Sequence, residues 1–160
     1  MVKNSKNLLI KLILLISIIA LISAFFIEYI LGHQPCNLCI LERIPYFLAI
    51  IVILLNYKFI EFEKFFILFL TIIFLFGTVL SLYHLGIEQG LIQESLVCDL
   101  KSGSNLLSKE EILKQLQEKS VSCKDVTFKM FGLSLTSYNI LISILITFSA
   151  GKIYFNYDKS

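Results

Sequence analysis

Charged residues are scarce in this sequence. They make up 16% of its 160 residues, whereas 57% are hydrophobic. A soluble domain of this length cannot hide so much apolar surface in one core, so the composition excludes an ordinary soluble fold and indicates an integral membrane protein. The net charge of +2 comes with no basic helix and no basic patch interleaved with aromatic residues. Nucleic acid is therefore not an expected partner.

Tryptophan is absent altogether. Trp and Tyr are the residues that usually anchor membrane helices at the water interface. That role is therefore predicted to fall to tyrosines, namely Tyr29, Tyr46, Tyr83 and Tyr138. The sequence also lacks an internal repeat and a low-complexity linker, which predicts one membrane domain over residues 1–160.

Four runs of the chain carry no charged residue, and each predicts a membrane span. They extend over Leu12 to Ile27, Ile44 to Tyr57, Phe65 to Ile87 and Phe131 to Gly151. A helix needs about 20 apolar residues to cross the hydrocarbon, so the predicted spans are at about residues 10–31, 41–57, 65–86 and 132–154. The predicted fold is an all-α membrane protein, a four-helix transmembrane bundle.

The lysines predict how this bundle is oriented. Those near the span ends lie before the first span, between the second and third, and after the fourth, as Lys3, Lys6, Lys11, Lys58, Lys64, Lys152 and Lys159. The lysines of the long segment at 88–130 count for little, because the rule weights charges close to span ends in short loops. By the positive-inside rule these segments and both termini are cytoplasmic, and the loops at about residues 32–40 and 87–131 lie outside. A cleaved signal peptide is the alternative for the N-terminus. The length of the first run and the three spans after it argue against that alternative.

The second outer loop is long and is predicted to carry a short amphipathic helix. Residues Ser108 to Glu111 form a capping box, and apolar residues including Ile112 and Leu116 follow at helical spacing. This helix would lie either on membrane lipid or against a small core of the loop itself, and the sequence leaves both open. Because it lies between Cys98 and Cys123, its docking would move one cysteine relative to the other.

The four cysteines lie in the two outer loops. Cys36 and Cys39 form a Cys-x-x-Cys pair at the mouth of the second span, here called the first pair. Cys98 and Cys123, the second pair, bracket the polar part of the long loop. Only a thiolate attacks a disulfide, so a working cysteine needs a lowered pKa and access. A Cys-x-x-Cys at a membrane surface next to an arginine favours redox chemistry.

Arg43 and Glu42 stand at membrane level beside this pair. An ionisable residue at that depth is costly, which favours a functional role for Arg43 over a lipid-headgroup anchor and makes Glu42 a candidate partner for it. Arg43 shares a face with Cys39 if the second helix begins by Leu38. Pro45 also permits a helix that begins near Ile44, so that Arg43 approaches Cys39 across a turn, and the sequence leaves both open.

Four cysteines in a membrane protein also have roles other than redox chemistry. An outer compartment favours structural disulfides. Zinc usually takes two closely spaced pairs, whereas Cys98 and Cys123 are far apart in the chain, so no metal is expected. A transporter or assembly factor with incidental thiols would show polar residues facing each other inside several spans. The spans here contain little beyond Ser, Thr and Asn139.

The sequence resembles the disulfide bond formation protein B (DsbB) family of membrane quinone reductases. The resemblance rests on Pro35 to Arg43 (PCNLCILER), on Tyr83 to Gly90 (YHLGIEQG) ahead of Cys98-Asp99, and on Cys123 followed by Phe131 to Ser134. It extends over nearly the whole chain. The sequence departs from the family at Phe128, where many relatives carry Trp.

The resemblance implies an electron path through both pairs. DsbA, DsbB and quinone are known to keep the bacterial periplasm oxidising. A reduced DsbA-like thiol oxidoreductase of the periplasm would attack the Cys98/Cys123 disulfide, most readily at Cys98. Cys123 would pass the electrons to Cys36 and Cys39, and Cys39 would donate them to ubiquinone or menaquinone. Whether such a protein serves one dedicated partner or a general one is left open.

The resemblance also implies a cofactor site and a location. Arg43 would stabilise the thiolate and the charge on the quinone oxygen, with Glu42 as a possible orienting partner. His84, near the outer end of the third span, would line the quinone site or carry a proton. The expected location is the bacterial inner membrane, with both termini cytoplasmic and the cysteine loops periplasmic.

Overall fold

The computed structural model describes residues 2–93, 122–124, 129–130 and 132–157. Cys98, Phe128 and the predicted loop helix after Ser108 lie outside these residues. The elements are α1 Val2–Tyr29, α2 Asn37–Leu41, α3 Ile44–Lys58, a 3-10 turn Ile60–Phe62, α4 Glu63–Glu88, β1 Lys129–Met130, β2 Leu133–Ser134 and α5 Leu135–Phe155.

Four stretches are long and apolar enough to cross a membrane. They are Lys6–Tyr29, Asn37–Lys58, Ile60–Glu88 and Leu135–Phe155. The predicted all-α four-helix membrane bundle is therefore confirmed. A small antiparallel hairpin of β1 and β2, with Gly132 at a φ of 82°, precedes α5 and was not predicted. Strands of two residues are too short to leave an alternating pattern in the sequence.

The bundle buries an apolar core that runs from the end carrying both termini to the first turns of α3. α4 packs along α5, and α3 packs against both α1 and α4. Buried Ile13, Ile53 and Phe74 belong to this core, while large apolar side chains such as Phe76 and Phe148 are exposed on the outside. Exposed apolar side chains are what a bundle surrounded by lipid presents. The opposite end, which carries Cys36 and Cys39, is called the cysteine end below.

A helix break separates α2 from α3 at the cysteine end. Cys36 caps α2, because its Sγ accepts a hydrogen bond from the backbone N–H of Cys39 at 3.3 Å. α3 begins at Ile44 with Pro45 in its first turn, where the missing N–H costs no helical hydrogen bond. The structure combines the two geometries that the sequence left open, because a helical turn already begins at Asn37 but ends at Leu41, and a separate helix begins at Ile44, after Arg43.

Glycines shape α4 where it meets this break. A Cβ on Gly77 would lie 3.1 Å from Cγ of Pro45, so the absence of a side chain lets α4 pack closely against the first turn of α3. α4 ends at Glu88, and Gly90 just beyond it has a φ of 74°, which allows the backbone N–H of Leu91 to bond the carbonyl of Gly86 at 2.9 Å. The last two turns of α4 therefore stand beside the cysteine loop.

Candidate functional site

The first cysteine pair lies at the two ends of the first turn of α2. The Sγ atoms of Cys36 and Cys39 are 2.8 Å apart, and both thiols are free. Cys36 is buried, at 6% exposure, whereas Cys39 is partly exposed. Cys39 is therefore the thiol of this pair that a second molecule can reach more easily.

The contacts around Cys36 favour the thiolate form of its side chain. The hydrogen bond from the Cys39 thiol and a second contact from Nε2 of His84, 3.5 Å from Sγ, lower the pKa of the Cys36 thiol to about 5, although burial opposes the shift. A thiol with this pKa is ionised at neutral pH, and its thiolate is a good leaving group in disulfide exchange.

Removing the Cys39 thiol should raise the pKa of Cys36. We expect the Cys39→Ala variant to titrate Cys36 at a pKa well above 5, because the largest lowering contact is lost while burial is kept. The Cys39→Ser variant retains a hydroxyl donor and should shift less. The pH dependence of thiolate ultraviolet absorbance, in protein whose second pair is replaced by serine, measures both. An unchanged titration in Cys39→Ala would show that Cys39 does not stabilise the Cys36 thiolate.

His84 connects the Cys36 thiol to a buried carboxylate. It is 1% exposed and lies near the end of α4. Its Nδ1 is 2.9 Å from Oε1 of Glu42 and 3.2 Å from the hydroxyl of Thr136, while its Nε2 faces Cys36. Glu88, one turn later on α4, brings a second carboxylate to within 3.8 Å of Nε2. The imidazole is thus held between the reactive thiol and two acidic groups.

A network of polar side chains continues from Glu42 into the bundle. Oε2 of Glu42 accepts a hydrogen bond from the Asn139 amide at 3.1 Å, and this amide also donates to Ser81 at 2.7 Å. Tyr46 donates its hydroxyl to the Asn139 carbonyl oxygen. The network therefore joins the α2–α3 junction to α3, α4 and α5. Inside a membrane bundle, hydrogen bonds among polar side chains replace the hydrogen bonds that water would otherwise make.

Arg43 faces away from this network, toward α1. Its guanidinium donates to the carboxylate of Glu28 and lies over the ring of Phe25, 5.2 Å from the ring centroid. The prediction that Glu42 orients Arg43 is wrong, because Glu42 is turned into the bundle toward His84. The cause is the break between α2 and α3, which directs two consecutive side chains to different helices.

One cysteine of the second pair lies against the first pair. Cys123 is 2% exposed and disulfide-bonded. It shares a buried cluster with Cys36, Leu38 and Ile87, and Cys39 packs against the same cluster. Because Cys98 lies outside the described residues, the pairing of Cys98 with Cys123 stays a prediction.

The structure brings together the residues that sequence analysis assigned to a site at the mouth of the second span, and it adds others. Cys36, Cys39, Glu42, Arg43 and His84 all lie at the cysteine end. The added residues are Glu28, Tyr46, Ser81, Glu88, Thr136 and Asn139.

Two of the added residues left a signal in the sequence. Glu88 stands four residues after His84 on one helix, and Asn139 is an amide inside an apolar span. Tyr46 was predicted to anchor the bundle at the interface, and this is wrong, because it is 4% exposed and bonded to Asn139.

Comparison with known proteins agrees with this arrangement. The chain matches the model of the disulfide bond formation protein DsbB family over residues 6–152. It is 33% identical over 165 residues to an uncharacterized protein, RP370, of Rickettsia prowazekii (strain Madrid E), a match that covers 99% of this chain and 94% of that protein. The family match includes all four cysteines and implies an oxidoreductase role in disulfide formation. This chain is therefore a member of the DsbB family, a multi-pass membrane protein of disulfide bond formation.

Proposed function

We propose that this protein is a thiol:quinone oxidoreductase that reoxidises a periplasmic DsbA-like thiol oxidoreductase and so sustains disulfide formation. The observation that carries the proposal is the buried cluster in which Cys123 packs together with Cys36. Electrons can pass between two cysteine pairs only when a thiolate of one pair reaches a sulfur of the other. The cluster brings one member of each pair together.

The relay begins at the second pair. The thiolate of the reduced partner attacks Sγ of Cys98 and forms a mixed disulfide, and the Cys98–Cys123 bond breaks to release Cys123 as a thiolate. Cys123 then attacks Sγ of Cys36, which breaks the Cys36–Cys39 bond and releases Cys39. Because Cys123 and Cys36 share one buried cluster, this exchange needs little chain movement.

Two further thiol–disulfide exchanges complete the relay. The second thiol of the partner displaces Cys98 from the mixed disulfide, so the partner departs oxidised. Cys98 then attacks Cys123 and releases Cys36, whose lowered pKa makes it a good leaving group. The second pair is again a disulfide, and the first pair now holds the two electrons as a dithiol.

The residues around Cys39 fit a membrane quinone as the acceptor. Cys39 is the more exposed thiol, Arg43 follows it across the turn, and Ile40, Ile44 and Phe47 present exposed apolar side chains on the same stretch of chain. When bound, ubiquinone or menaquinone supplies a two-electron acceptor for the reduced pair. With a quinone bound there, Arg43 would stabilise the Cys39 thiolate and negative charge on the quinone oxygen.

His84 and Glu42 handle the proton of the first pair. Nε2 of His84 is in contact with Sγ of Cys36, and Nδ1 is hydrogen-bonded to Glu42. A proton that leaves Cys36 can be held on the imidazole while the carboxylate balances its charge. This gives both residues a role at the reacting sulfur without direct contact with the partner protein.

The proposed location is the bacterial inner membrane, with the cysteine end in the periplasm. The lysines that flank the span ends in short segments lie at the opposite end of the bundle, where Lys6 pairs with Glu63 at 2.7 Å and Lys58 ends α3. By the positive-inside rule, the proposed orientation has this end and both termini in the cytoplasm. The partner thiol oxidoreductase would then meet the cysteine end from the periplasm.

Trapping of a mixed disulfide tests the order of the relay. A reduced DsbA-like protein that keeps only its attacking cysteine is mixed with the purified native protein in detergent. We expect one adduct, joined at Cys98, because the partner lacks the thiol that would resolve it. Peptide mass spectrometry of the non-reduced adduct locates the bond.

Two variants serve as controls for this trap. Cys98→Ser should give no adduct. A double variant, Cys36→Ala with Cys39→Ala, should give less adduct than the native protein, because Cys123 then has no disulfide to attack and instead returns to Cys98. An adduct located at Cys36 or Cys39, or one that forms equally well in Cys98→Ser, would contradict the proposed order.

A further inference from the structure

Three atoms that bind metals converge at the cysteine end. They are the Sγ atoms of Cys36 and Cys39 and a ring nitrogen of His84, all within 4.8 Å of one another. Thiolate and imidazole are the ligands that zinc prefers in proteins. We propose that the reduced first pair and His84 form a Zn²⁺ site, and that zinc bound there blocks the redox cycle of the pair.

The spacing of the three atoms is close to that of a tetrahedral zinc site. With Zn–S near 2.3 Å and Zn–N near 2.0–2.1 Å, a tetrahedral site separates a sulfur and a nitrogen by about 3.6 Å and two sulfurs by about 3.8 Å. Nε2 of His84 is 3.5 Å from Sγ of Cys36, which already matches. The two sulfurs are 2.8 Å apart, so one cysteine side chain must move by about 1 Å.

The surroundings of His84 are those of a metal-ligating histidine. Such residues usually donate the N–H of the other ring nitrogen to a carboxylate, which orients the ring and raises its basicity. Here Nδ1 is 2.9 Å from Glu42, and Glu42 is held in turn by Asn139. With Nδ1 held by Glu42, Nε2 is the ring nitrogen that faces Cys36 and can bind the metal once its proton is displaced.

Three protein ligands leave one position of the tetrahedron for water. The carboxylate of Glu88 lies near the ligand nitrogen, with Oε1 3.8 Å from Nε2 of His84. The set differs from the four-cysteine zinc site considered from sequence, because it needs neither Cys98 nor Cys123. Sequence spacing could not reveal it, since His84 comes from another helix.

Zinc at this site would oppose electron transfer. Binding displaces the thiol protons and holds both sulfurs as ligands, so neither can form a disulfide while the metal stays bound. Oxidation of the pair to a disulfide removes two ligands and would release the metal. This inhibitory consequence rests on the proposed function, whereas the binding of zinc does not.

Cobalt substitution tests the binding directly. The purified protein in detergent, reduced and freed of reductant, is titrated with Co²⁺ and then with Zn²⁺. We expect one equivalent of Co²⁺ to produce thiolate charge-transfer and tetrahedral d–d absorption, and Zn²⁺ to abolish both. Protein with an oxidised first pair should show neither. A reduced native protein without these bands would overturn the proposal.

Variants identify the ligands. His84→Gln and Cys36→Ser should abolish tight binding, and Glu42→Gln should weaken it by about 10–100-fold, the usual effect of losing the carboxylate behind a ligating histidine. His33→Gln, at the other histidine, and the double variant Cys98→Ser with Cys123→Ser should bind as the native protein does. Unchanged affinity in His84→Gln, or lost affinity in the double variant, would overturn the site.

X-ray absorption at the zinc edge identifies the zinc ligands in the native chain. This measurement does not depend on whether the variants fold. Two sulfur ligands together with nitrogen or oxygen ligands are expected, whereas four sulfurs would contradict the assignment. These readouts are independent of turnover. Zinc binding without quinone reduction would support the site and contradict the proposed function. Quinone reduction without zinc binding would support the proposed function and overturn the site.

Discussion

Replacing Arg43 by alanine is expected to lower kcat/KM for quinone reduction by about 100-fold or more, the range seen when an enzyme loses a donor to developing negative charge. Arg43 follows Cys39 across the α2–α3 turn, and its guanidinium is held by Glu28 and the ring of Phe25. At the edge of a membrane, where little water screens the charge, its interaction with an anion is strong. Steady-state quinone reduction at saturating reduced thiol partner measures the effect.

Two further variants separate the charge of Arg43 from its anchoring. Arg43→Lys keeps the charge but loses the planar guanidinium, which can stack on Phe25 while it donates a hydrogen bond to Glu28. We therefore expect a rate between those of the native protein and Arg43→Ala. Glu28→Gln keeps the guanidinium and loosens it, and the loss should be smaller than in Arg43→Ala. A native rate in Arg43→Ala would contradict the role of Arg43. A loss in Glu28→Gln as large as in Arg43→Ala would assign the effect to the ion pair instead.

Replacing Glu42 by alanine is expected to destabilise the bundle by about 2–6 kcal/mol, because leaving a buried polar group unsatisfied costs about 1–3 kcal/mol and Glu42 serves two such groups. Glu42 is 8% exposed, and it satisfies both His84 and Asn139. Without it, two buried polar groups lose hydrogen bonds that no water inside the bundle can replace. Thermal unfolding in detergent, followed by circular dichroism, measures the loss.

Matched variants test whether burial causes this effect. Glu28→Gln alters a pair whose side chains are 18% and 23% exposed and keeps an oxygen that can accept from Arg43, so we expect it to cost less than Glu42→Ala. The double variant Glu42→Ala with His84→Leu should cost less than the sum of its single changes, because the two residues are directly coupled. Equal losses in Glu42→Ala and Glu28→Gln, or strict additivity in the double variant, would contradict the account.

The helices could be predicted from sequence because a membrane imposes a length and an apolar composition on each span. Each charge-free run contains most of one observed helix, and the four runs begin at Leu12, Ile44, Phe65 and Phe131. The start of the second span could not be settled in this way. Pro45 is compatible with a start by Leu38 and with one near Ile44, and the structure has a helix start at both places, at Asn37 after the Cys36 cap and at Ile44 after the break.

The partners within the site could not be predicted, because they are far apart in the chain. Glu42 meets His84 across 42 residues, and Tyr46 meets Asn139 across 93. Composition does not reveal which faces of two helices meet. Neighbouring residues such as Glu42 and Arg43 were therefore paired in prediction, whereas the helix break sends them to α4 and α1. The cysteines were easier, since their chemistry and spacing carry a signal without contacts.

Quinone reduction by the purified protein, driven by a reduced DsbA-like thiol oxidoreductase and followed by absorbance, tests the central claim most directly. The native chain should reduce quinone with multiple turnovers, and Cys39→Ser should abolish turnover while the bundle stays folded. A folded native protein that reduces neither ubiquinone nor menaquinone with such a donor, or a Cys39→Ser variant as active as the native chain, would contradict the relay.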